Sequence, residues 1–223
     1  MKIMLFDNNA NLVSVYKKWF GDEFPFVEIF YGDFKDIKGY EGIVSPANSF
    51  GFMDGGIDMA YSKYFGWDVQ KELQKKILLE KDGELLVGDG LVVDMSTIPT
   101  YDIDTDFRFM ISVPTMRVPM NVNRTANAYL AMRAVLRLAE ANNIRSVAVP
   151  GLATGVGAVE PHICAKQIYT AVALRYKLDL PKFSLPNLRE QCNFHEWLTT
   201  PYSNYITGYC PLIKMIMQGR EIR

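Results

Sequence analysis

The sequence predicts an α/β fold with three layers, in which a mixed, largely parallel central sheet is flanked by helices. Short apolar runs alternate along the chain with segments whose apolar residues recur at helical spacing, which is typical of strands joined by crossover helices. Two glycine-rich segments each follow one of the short apolar runs. Because ligands bind at the carboxyl ends of the strands in such sheets, we expect the two segments to meet at one edge.

The composition is typical of a soluble, globular chain. Of the 223 residues, 49% are hydrophobic and 22% are charged, which is sufficient for a sizeable core in one domain with an extension. The net charge of -1 gives no reason to expect broad nucleic-acid binding. Cys164, Cys192 and Cys210 form no CxxC pair, so neither a disulfide framework nor a structural zinc site is expected.

The location of the protein is predicted from targeting features that the sequence lacks. The polar residues Asp7, Asn8 and Asn9 follow the first apolar run at once, so the N-terminus has no signal-peptide core. No apolar run approaches the ~20 residues that a membrane-spanning helix needs. Together with the odd number of cysteines, these features predict a cytoplasmic protein without a membrane partner.

In the first part of the chain, strands and helices are predicted in alternation. Apolar runs predict strands at Lys2–Phe6, Phe26–Tyr31 and Gly42–Ser45. A helix that ends at Gly21 is predicted between the first two strands, because apolar residues recur there at helical spacing. The apolar stripe from Tyr61 to Ile77 predicts one helix, or two if Gly66 interrupts it.

The second part of the chain continues the alternation. Its elements are predicted as a strand at Phe107–Val113, a helix from Ala128 to Leu138 with Asn121 or Asn123 as its cap, a strand at Ser146–Pro150 and a helix over Val159–Tyr176. The loop before Phe107 carries the acids Asp94, Asp102, Asp104 and Asp106. These acids lack EF-hand spacing, so a solvated loop is favoured over a metal site.

The first glycine-rich segment has the features of an anion-binding loop. It follows the strand that ends at Ser45 and passes through Gly55 and Gly56 into a predicted helix. Glycines permit a close approach of the backbone to a ligand, and the amides at a helix N-terminus favour an anion. Asn48 and Asp58 bracket the loop with an amide and a carboxylate.

The second glycine-rich segment, Gly151–Ala158, holds Thr154 among its glycines and precedes a helix that starts near Pro161. Two interpretations are open at this point, an anion-binding loop and a plain turn between a strand and a helix. The dinucleotide fingerprint G-x-G-x-x-G is not met, and no acidic residue follows at a strand end about 20 residues on. An NAD-dependent dehydrogenase is therefore disfavoured.

Three motifs, at Gly32–Phe34, Ser45–Ala60 and Gly151–Ala158, together resemble the ligand loops of macrodomains, the family of ADP-ribose-binding and Appr-1-p-processing domains. The family patterns are Gly-Asp-Ile, then Asn-Ala-Ala-Asn-Ser with a later Gly-Gly-Val-Asp-Gly-Ala, and a second loop with Gly-Thr-Gly or Ser-x-Gly. This chain departs from them by carrying Ser45-Pro46 in place of Asn-Ala, and Ser62 where many members have a histidine. The resemblance runs from about residue 26 to about residue 176 and implies a macrodomain-like fold.

The resemblance implies a binding role for each motif. Asp33 would accept a hydrogen bond from the adenine amino group, with the backbone of Phe34 beside the base, and the two loops would enclose the diphosphate and the distal ribose. The loop residues implied for substrate binding are Ala47, Asn48, Gly55, Gly56 and Ile57 in the first loop and Ala153, Thr154, Gly155, Val156 and Gly157 in the second. No metal and no cofactor are implied.

The resemblance assigns catalysis to Asp58 and Asn48. In macrodomains that remove ADP-ribose from proteins, the residue that matches Asp58 activates or orients a water that attacks the distal ribose, and Asn48 would orient the ribose hydroxyls. A carboxylate in the first turn of a helix also interacts well with the helix dipole, so a structural role for Asp58 stays open. The adenine-stacking residue is not assigned, and Phe183 is a candidate.

Three functional hypotheses follow for a ligand that is ADP-ribose or an ADP-ribosylated substrate. The first is an ADP-ribosyl hydrolase or ADP-ribose-1″-phosphate phosphatase, and the second is a reader that binds ADP-ribose without chemistry. The third is a protein-interaction domain with a vestigial cleft, whose aromatic and proline-rich C-terminal extension contacts a partner. We predict a macrodomain over residues 1–177 and an extension over residues 178–223 that packs on the domain or on a partner.

Overall fold

The computed structural model describes residues 1–101, 103–177, 184–201 and 211–217. The strands are β1 (Lys2–Asp7), β2 (Val27–Tyr31), β3 (Gly42–Ser45), β4 (Leu91–Asp94), β5 (Phe109–Ser112) and β6 (Ser146–Val149). The helices are α1 (Ala10–Phe20), α2 (Gly56–Phe65), α3 (Asp68–Glu80), α4 (Asn127–Ala141), α5 (Pro161–Lys177), α6 (Leu188–Thr199) and α7 (Pro211–Ile216). Short 3₁₀ turns occur at Phe34–Asp36 and Met95–Thr97.

The six strands form one mixed sheet in the order β2-β1-β6-β3-β5-β4. All neighbouring pairs are parallel except β4 and β5, which run antiparallel at one edge. The predicted α/β architecture with a mixed, largely parallel sheet is confirmed. Because β1, β2, β3 and β6 are parallel, the segments that follow them all emerge at the same edge of the sheet.

Helices cover both faces of the sheet, and the alternation of side chains along β1 illustrates the division. Ile3 and Leu5 belong to a buried cluster that includes side chains of α1, α4 and α5. Met4 and Phe6 point to the opposite face, where the buried cluster includes side chains of α2 and α3. The period of two along a strand therefore supplies both apolar layers from one short segment.

The end of α2 and the start of α4 can be compared with the boundaries that the sequence predicted. Gly66 has a φ of +95° and ends α2 by donating to the Ser62 carbonyl, so the stripe forms two helices rather than one. The predicted caps of α4 are wrong, because α4 begins at Asn127 and its N-cap position is Ala126. Asn121 instead accepts a hydrogen bond from the amide of Asn123 within the preceding loop.

The described part of the C-terminal extension packs on α5. Trp197 and Leu198 of α6 and Ile213 and Ile216 of α7 are buried in the same cluster as the side chains of α1, α4 and α5. The buried Lys166 ammonium donates to the carbonyl of Thr200 at the end of α6 and lies 4.8 Å from the ring of Trp197. Through these contacts α6 packs on the helices that cover the sheet. The boundary at residue 178 between a domain and an extension stays a prediction.

The described residues contain neither a membrane-spanning helix nor a cluster of metal ligands. No helix in that part of the chain is long and apolar enough to cross a membrane. None of its His, Cys, Asp and Glu side chains form a group of three that could hold a metal. In the acidic loop, Asp94 pairs with Arg108 and Asp106 accepts from the Gly39 amide, whereas Asp102 lies outside the described residues.

Candidate functional site

The segments that follow β1, β2, β3 and β6 enclose a cleft of about 450 Å³. All residues predicted for binding or catalysis line it except Gly157. The predicted residues in the lining are Asp33, Phe34, Ala47, Asn48, Gly55, Gly56, Ile57, Asp58, Ala153, Thr154, Gly155 and Val156. Motifs that are far apart in the sequence are thus brought together at the carboxyl edge of the sheet.

The side chain of Asn48 stabilises its own loop. Its Oδ1 accepts from the amides of Phe50 at 3.0 Å and Phe52 at 3.5 Å, and its Nδ2 donates to the Phe52 carbonyl at 3.1 Å. The loop is also tied to α2, because Ser62 Oγ donates to the carbonyl of Met53 at 2.8 Å. The amide of Asn48 therefore has a structural function besides the predicted contact with a ribose.

The N-terminus of α2 opens into the cleft. Gly55 is its N-cap and makes no side-chain cap hydrogen bond, and Gly56 has a φ of +54°, which favours glycine. Both glycines are exposed, and a Cβ atom at either position would meet nothing within 4 Å. The first amides of the helix are consequently available to an anion in the cleft.

Asp58 lies in the first turn of α2 and is only 7% exposed. Its Oδ1 accepts a 2.5 Å hydrogen bond from the hydroxyl of Ser45 at the end of β3. Burial raises the pKa of Asp58 from the ordinary 3.8 to about 7, and the hydrogen bond from Ser45 opposes that rise. A carboxylate with a pKa near neutrality can take up and release a proton at physiological pH.

The second glycine-rich loop is a compact turn between β6 and α5. Ala153 has a φ of +62°, an uncommon conformation for a residue with a Cβ atom, and its carbonyl accepts from the amide of Val159. Gly157 is buried beneath the loop, where a Cβ atom would lie 2.5 Å from the carbonyl oxygen of Ala153. Gly157 therefore serves the packing of the loop, while Gly155 and Val156 are exposed at the cleft.

Asp33 and Phe34 occupy the end of the cleft that follows β2. Asp33 is exposed and caps the 3₁₀ turn, because its Oδ1 accepts from the Lys35 amide at 3.0 Å. The Phe34 ring is buried and packs edge-on against Tyr61 and Tyr64, with ring centroids 4.9 and 5.3 Å away. Because its ring is buried, Phe34 can face a ligand only with its backbone. Phe183, the candidate for adenine stacking, lies outside the described residues.

Asp7 is a cleft residue that the sequence did not identify. It ends β1, which lies between β2 and β6, so its carboxylate sits between Asp33 and the second loop. Its Oδ1 accepts from the Asn9 amide at 2.8 Å and its Oδ2 from the Gly151 amide at 3.3 Å. The sequence indicated only a turn at this position, and no local pattern reveals that β1 is a central strand. The lining residues that lie within the three predicted motifs but were not singled out are Gly32, Pro46, Phe52, Asp54, Ala60 and Gly151. The lining residues outside the motifs, which the sequence missed, are Phe6, Asn8, Thr115, Met116, Pro119 and Pro150.

The cleft is acidic. Carboxylates of Asp7, Asp33, Asp54 and Asp58 line it, and the described lining contains no Lys, Arg or His. A bound anion would have to be held by backbone amides, which the two glycine-rich loops provide.

The chain is similar to a known family and to proteins of other organisms. The model of the family described as Macro domain matches residues 44–168. An uncharacterized protein of Aquifex aeolicus is 27% identical over 165 residues, which are 71% of this chain and 92% of that protein. An uncharacterized protein of Aeropyrum pernix is 30% identical over 143 residues, which are 64% of this chain and 68% of that protein.

Solved structures with the same fold include several macrodomains. The macrodomain of Mycobacterium tuberculosis DarG superposes with a TM-score of 0.54 at 23% identity, covering 67% of this chain and 91% of its own. A mutant Oceanobacillus iheyensis macrodomain with ADPR gives 0.51 at 22% identity over 60% of this chain and 70% of its own. Thermosipho africanus DarTG in complex with ADP-ribose gives 0.52 at 18% identity over 81% of this chain and 50% of its own.

Proposed function

The chain belongs to the Macro domain family, and from that premise we propose that its cleft binds ADP-ribose or an ADP-ribosylated group. One observation carries the proposal: both glycine-rich loops line a single cleft, which has Asp33 in one part of its wall and Asp58 in another. The complex of Thermosipho africanus DarTG with ADP-ribose supports this choice of ligand.

The chemistry of the lining fits the parts of ADP-ribose in turn. The exposed Asp33 carboxylate accepts a hydrogen bond from the adenine amino group, and the Phe34 backbone lies beside the base. The amides at Gly55, Gly56 and the second loop hold the diphosphate, which explains how an acidic cleft without a lining cation can take an anion. The distal ribose then lies near Asn48 and Asp58.

We further propose that the protein hydrolyses an ADP-ribosyl ester. The Asp58 carboxylate accepts a proton from a water whose oxygen bonds to the anomeric carbon of the distal ribose. The bond from that carbon to the ester oxygen breaks, which releases ADP-ribose and a carboxylate without any redox change, and the proton taken up by Asp58 then passes to solvent. A pKa of about 7 suits Asp58 to this general-base step. The same ligand position would serve the processing of ADP-ribose-1″-phosphate.

A reader that binds ADP-ribose without turnover is the second candidate. It is favoured by the hydrogen bonds of the Asn48 side chain with the backbone of its own loop, which leave the amide less free to orient a ribose. It is also favoured by the position of Asp58 in the first turn of α2, where a carboxylate stabilises the helix without any catalysis.

A protein-interaction domain with a vestigial cleft has less support. The described residues of the C-terminal extension do not line the cleft, and several of them are buried against α5. A partner that contacts the extension stays a prediction for the exposed part of α6, which includes Leu188 at 77% exposure.

The experiment that tests the proposed function has two steps. Calorimetric titration with ADP-ribose is expected to give saturable binding, which Asp33→Ala weakens. Incubation with an ester-linked ADP-ribosylated protein is then expected to release ADP-ribose, and Asp58→Ala to prevent the release while binding persists. Binding without release would support the reader, and a folded protein without binding would contradict both candidates.

A further inference from the structure

The Ser45 hydroxyl lies beneath the cleft and is not one of the groups proposed to bind the ligand or to react with it. Ser45 ends β3, is fully buried and donates a 2.5 Å hydrogen bond to Asp58 Oδ1. It stands at the position where the family pattern has an asparagine, and in this chain a hydroxyl contacts the carboxylate. The contact joins the strand that leads into the first loop to the helix that follows the loop.

The hydrogen bond distinguishes the two oxygens of Asp58. Oδ1 is engaged by Ser45, whereas no group of the described residues donates to Oδ2. Because Asp58 also lines the cleft, Oδ2 is the oxygen left for a ligand or a water. A donor hydrogen bond favours the ionised form of a carboxylate, which burial disfavours.

We propose that Ser45 is a positioning residue, whose hydroxyl favours the ionised form of the Asp58 carboxylate and holds it turned so that Oδ2 faces the cleft. The consequence for turnover rests on the proposed function. The effect on the ionisation of Asp58 does not, and it can be measured in the free protein.

The other groups around Asp58 do not replace Ser45. Tyr61, one turn further along α2, donates to the carbonyl of Val44 at 3.2 Å, and burial raises its pKa well above the ordinary value, so it stays neutral. The other charged groups of the lining are the carboxylates of Asp7, Asp33 and Asp54, which repel a second negative charge. With no Lys, Arg or His in the described lining, loss of the Ser45 hydroxyl has no compensation.

Ser112 provides a matched control. It lies directly opposite Ser45 in the register of β3 and β5 and is also fully buried. Its Oγ has no hydrogen-bond partner among the described residues. Ser112→Ala therefore removes the same atom from the same layer of the core without removing a donor to Asp58.

The test is the titration of the Asp58 carboxyl carbon by ¹³C NMR in the free protein, with Asp58→Asn to assign the resonance. Ser45→Ala is expected to raise the midpoint by about one pH unit, the value of one hydrogen bond to a charged group. Ser112→Ala is expected to leave the midpoint unchanged, and Ser45→Thr, which keeps a hydroxyl, to leave it near the original.

The hydrolysis assay then connects the ionisation to turnover. In the pH–rate profile, the acid limb is expected to move to higher pH with Ser45→Ala, by the same amount as the NMR midpoint, and not to move with Ser112→Ala. An unchanged NMR midpoint in Ser45→Ala, or equal shifts in Ser45→Ala and Ser112→Ala, would overturn the proposal. A shifted midpoint in a protein that neither binds nor cleaves ADP-ribose would leave the effect on ionisation intact and contradict the proposed function alone.

Discussion

Two parts of the cleft wall carry carboxylates in opposite environments. Asp33 is exposed, and among the described residues its carboxylate accepts a hydrogen bond only from the backbone of its own turn. Asp58 is buried, accepts a hydrogen bond from Ser45 and has its pKa raised by burial to about 7. An exposed side chain is open to a ligand from solvent, whereas burial penalises the ionised form of a carboxylate and so favours uptake of a proton. The difference suggests that the first part recognises the ligand and the second part performs the chemistry.

The largest expected effect is at the buried part. Asp58→Ala should lower the hydrolysis rate by about 10²–10⁴-fold, the usual contribution of a general base, with a small change in the affinity for ADP-ribose. Rates and calorimetric affinities measured on the same preparation would separate the two quantities. Asp68→Ala is the control, because Asp68 is also in the first turn of a helix but lies outside the cleft. Equal losses in both variants would contradict a chemical role for Asp58.

The burial of Asp58 also predicts a dependence of stability on pH. Because the pKa is raised in the folded state, the unfolded chain binds fewer protons at this group, and stability falls as the pH rises from about 4 to about 7. A rise from 3.8 to about 7 corresponds to at most about 4 kcal/mol of unfolding free energy. Asp58→Asn removes this contribution. The unfolding free energy of the variant minus that of the original chain should therefore increase from pH 5 to pH 8.

Urea unfolding of both proteins at pH 5 and pH 8 would measure this difference, and the contributions of all other groups cancel in the comparison. A difference in unfolding free energy that does not change with pH would show that Asp58 is not buried as described.

The same contrast between buried and exposed positions can be tested within the second loop. Gly157→Ala should destabilise the protein by about 1–3 kcal/mol, because the new Cβ atom would lie 2.5 Å from the Ala153 carbonyl oxygen. Gly155→Ala is the matched change at the exposed position, where a Cβ atom meets nothing within 4 Å and little loss is expected. Thermal unfolding would compare them, and equal stabilities would place Gly157 at the surface of the loop rather than beneath it.

The smallest effect is expected at the exposed part. Asp33→Asn should weaken ADP-ribose binding about tenfold, the value of one hydrogen bond to a charged group, and leave the melting temperature unchanged. Asp36→Asn removes a second carboxylate from the same 3₁₀ turn, outside the cleft lining, and should not alter the affinity. A loss of stability in Asp33→Asn would indicate that this residue serves the turn more than the ligand.

The sequence predicted the parts of this molecule that depend on short-range patterns. Apolar runs and helical spacing predicted most strands of the sheet and the helices α1 to α5, and the glycines at 55, 56 and 151–157 predicted the two loops at the cleft. Neither α6 nor α7 was predicted, because no helical spacing was recognised in the C-terminal extension. What depends on long-range pairing was not predicted. The position of β1 between β2 and β6, which brings Asp7 into the cleft, follows from contacts with strands more than 20 and 140 residues away.

The environments of the predicted site residues were also beyond the sequence. The burial of Asp58 depends on the packing of α2 against the end of β3. The hydrogen bonds of the Asn48 side chain depend on the conformation of a loop without regular structure. The glycine-rich motif predicts a binding role for Gly157 as well as for Gly155, two positions earlier. The turn of the chain between them puts one glycine at the surface and the other beneath it.

The proposed ADP-ribose site is tested most directly by calorimetric titrations of the unmodified protein with ADP-ribose and with AMP. AMP carries the adenine that Asp33 is proposed to recognise but lacks the second phosphate and the distal ribose. We expect ADP-ribose to bind much more tightly than AMP, and Asp33→Asn to weaken the binding of both ligands. Equal affinities for the two ligands, or no binding of ADP-ribose to the folded protein, would contradict the proposed site.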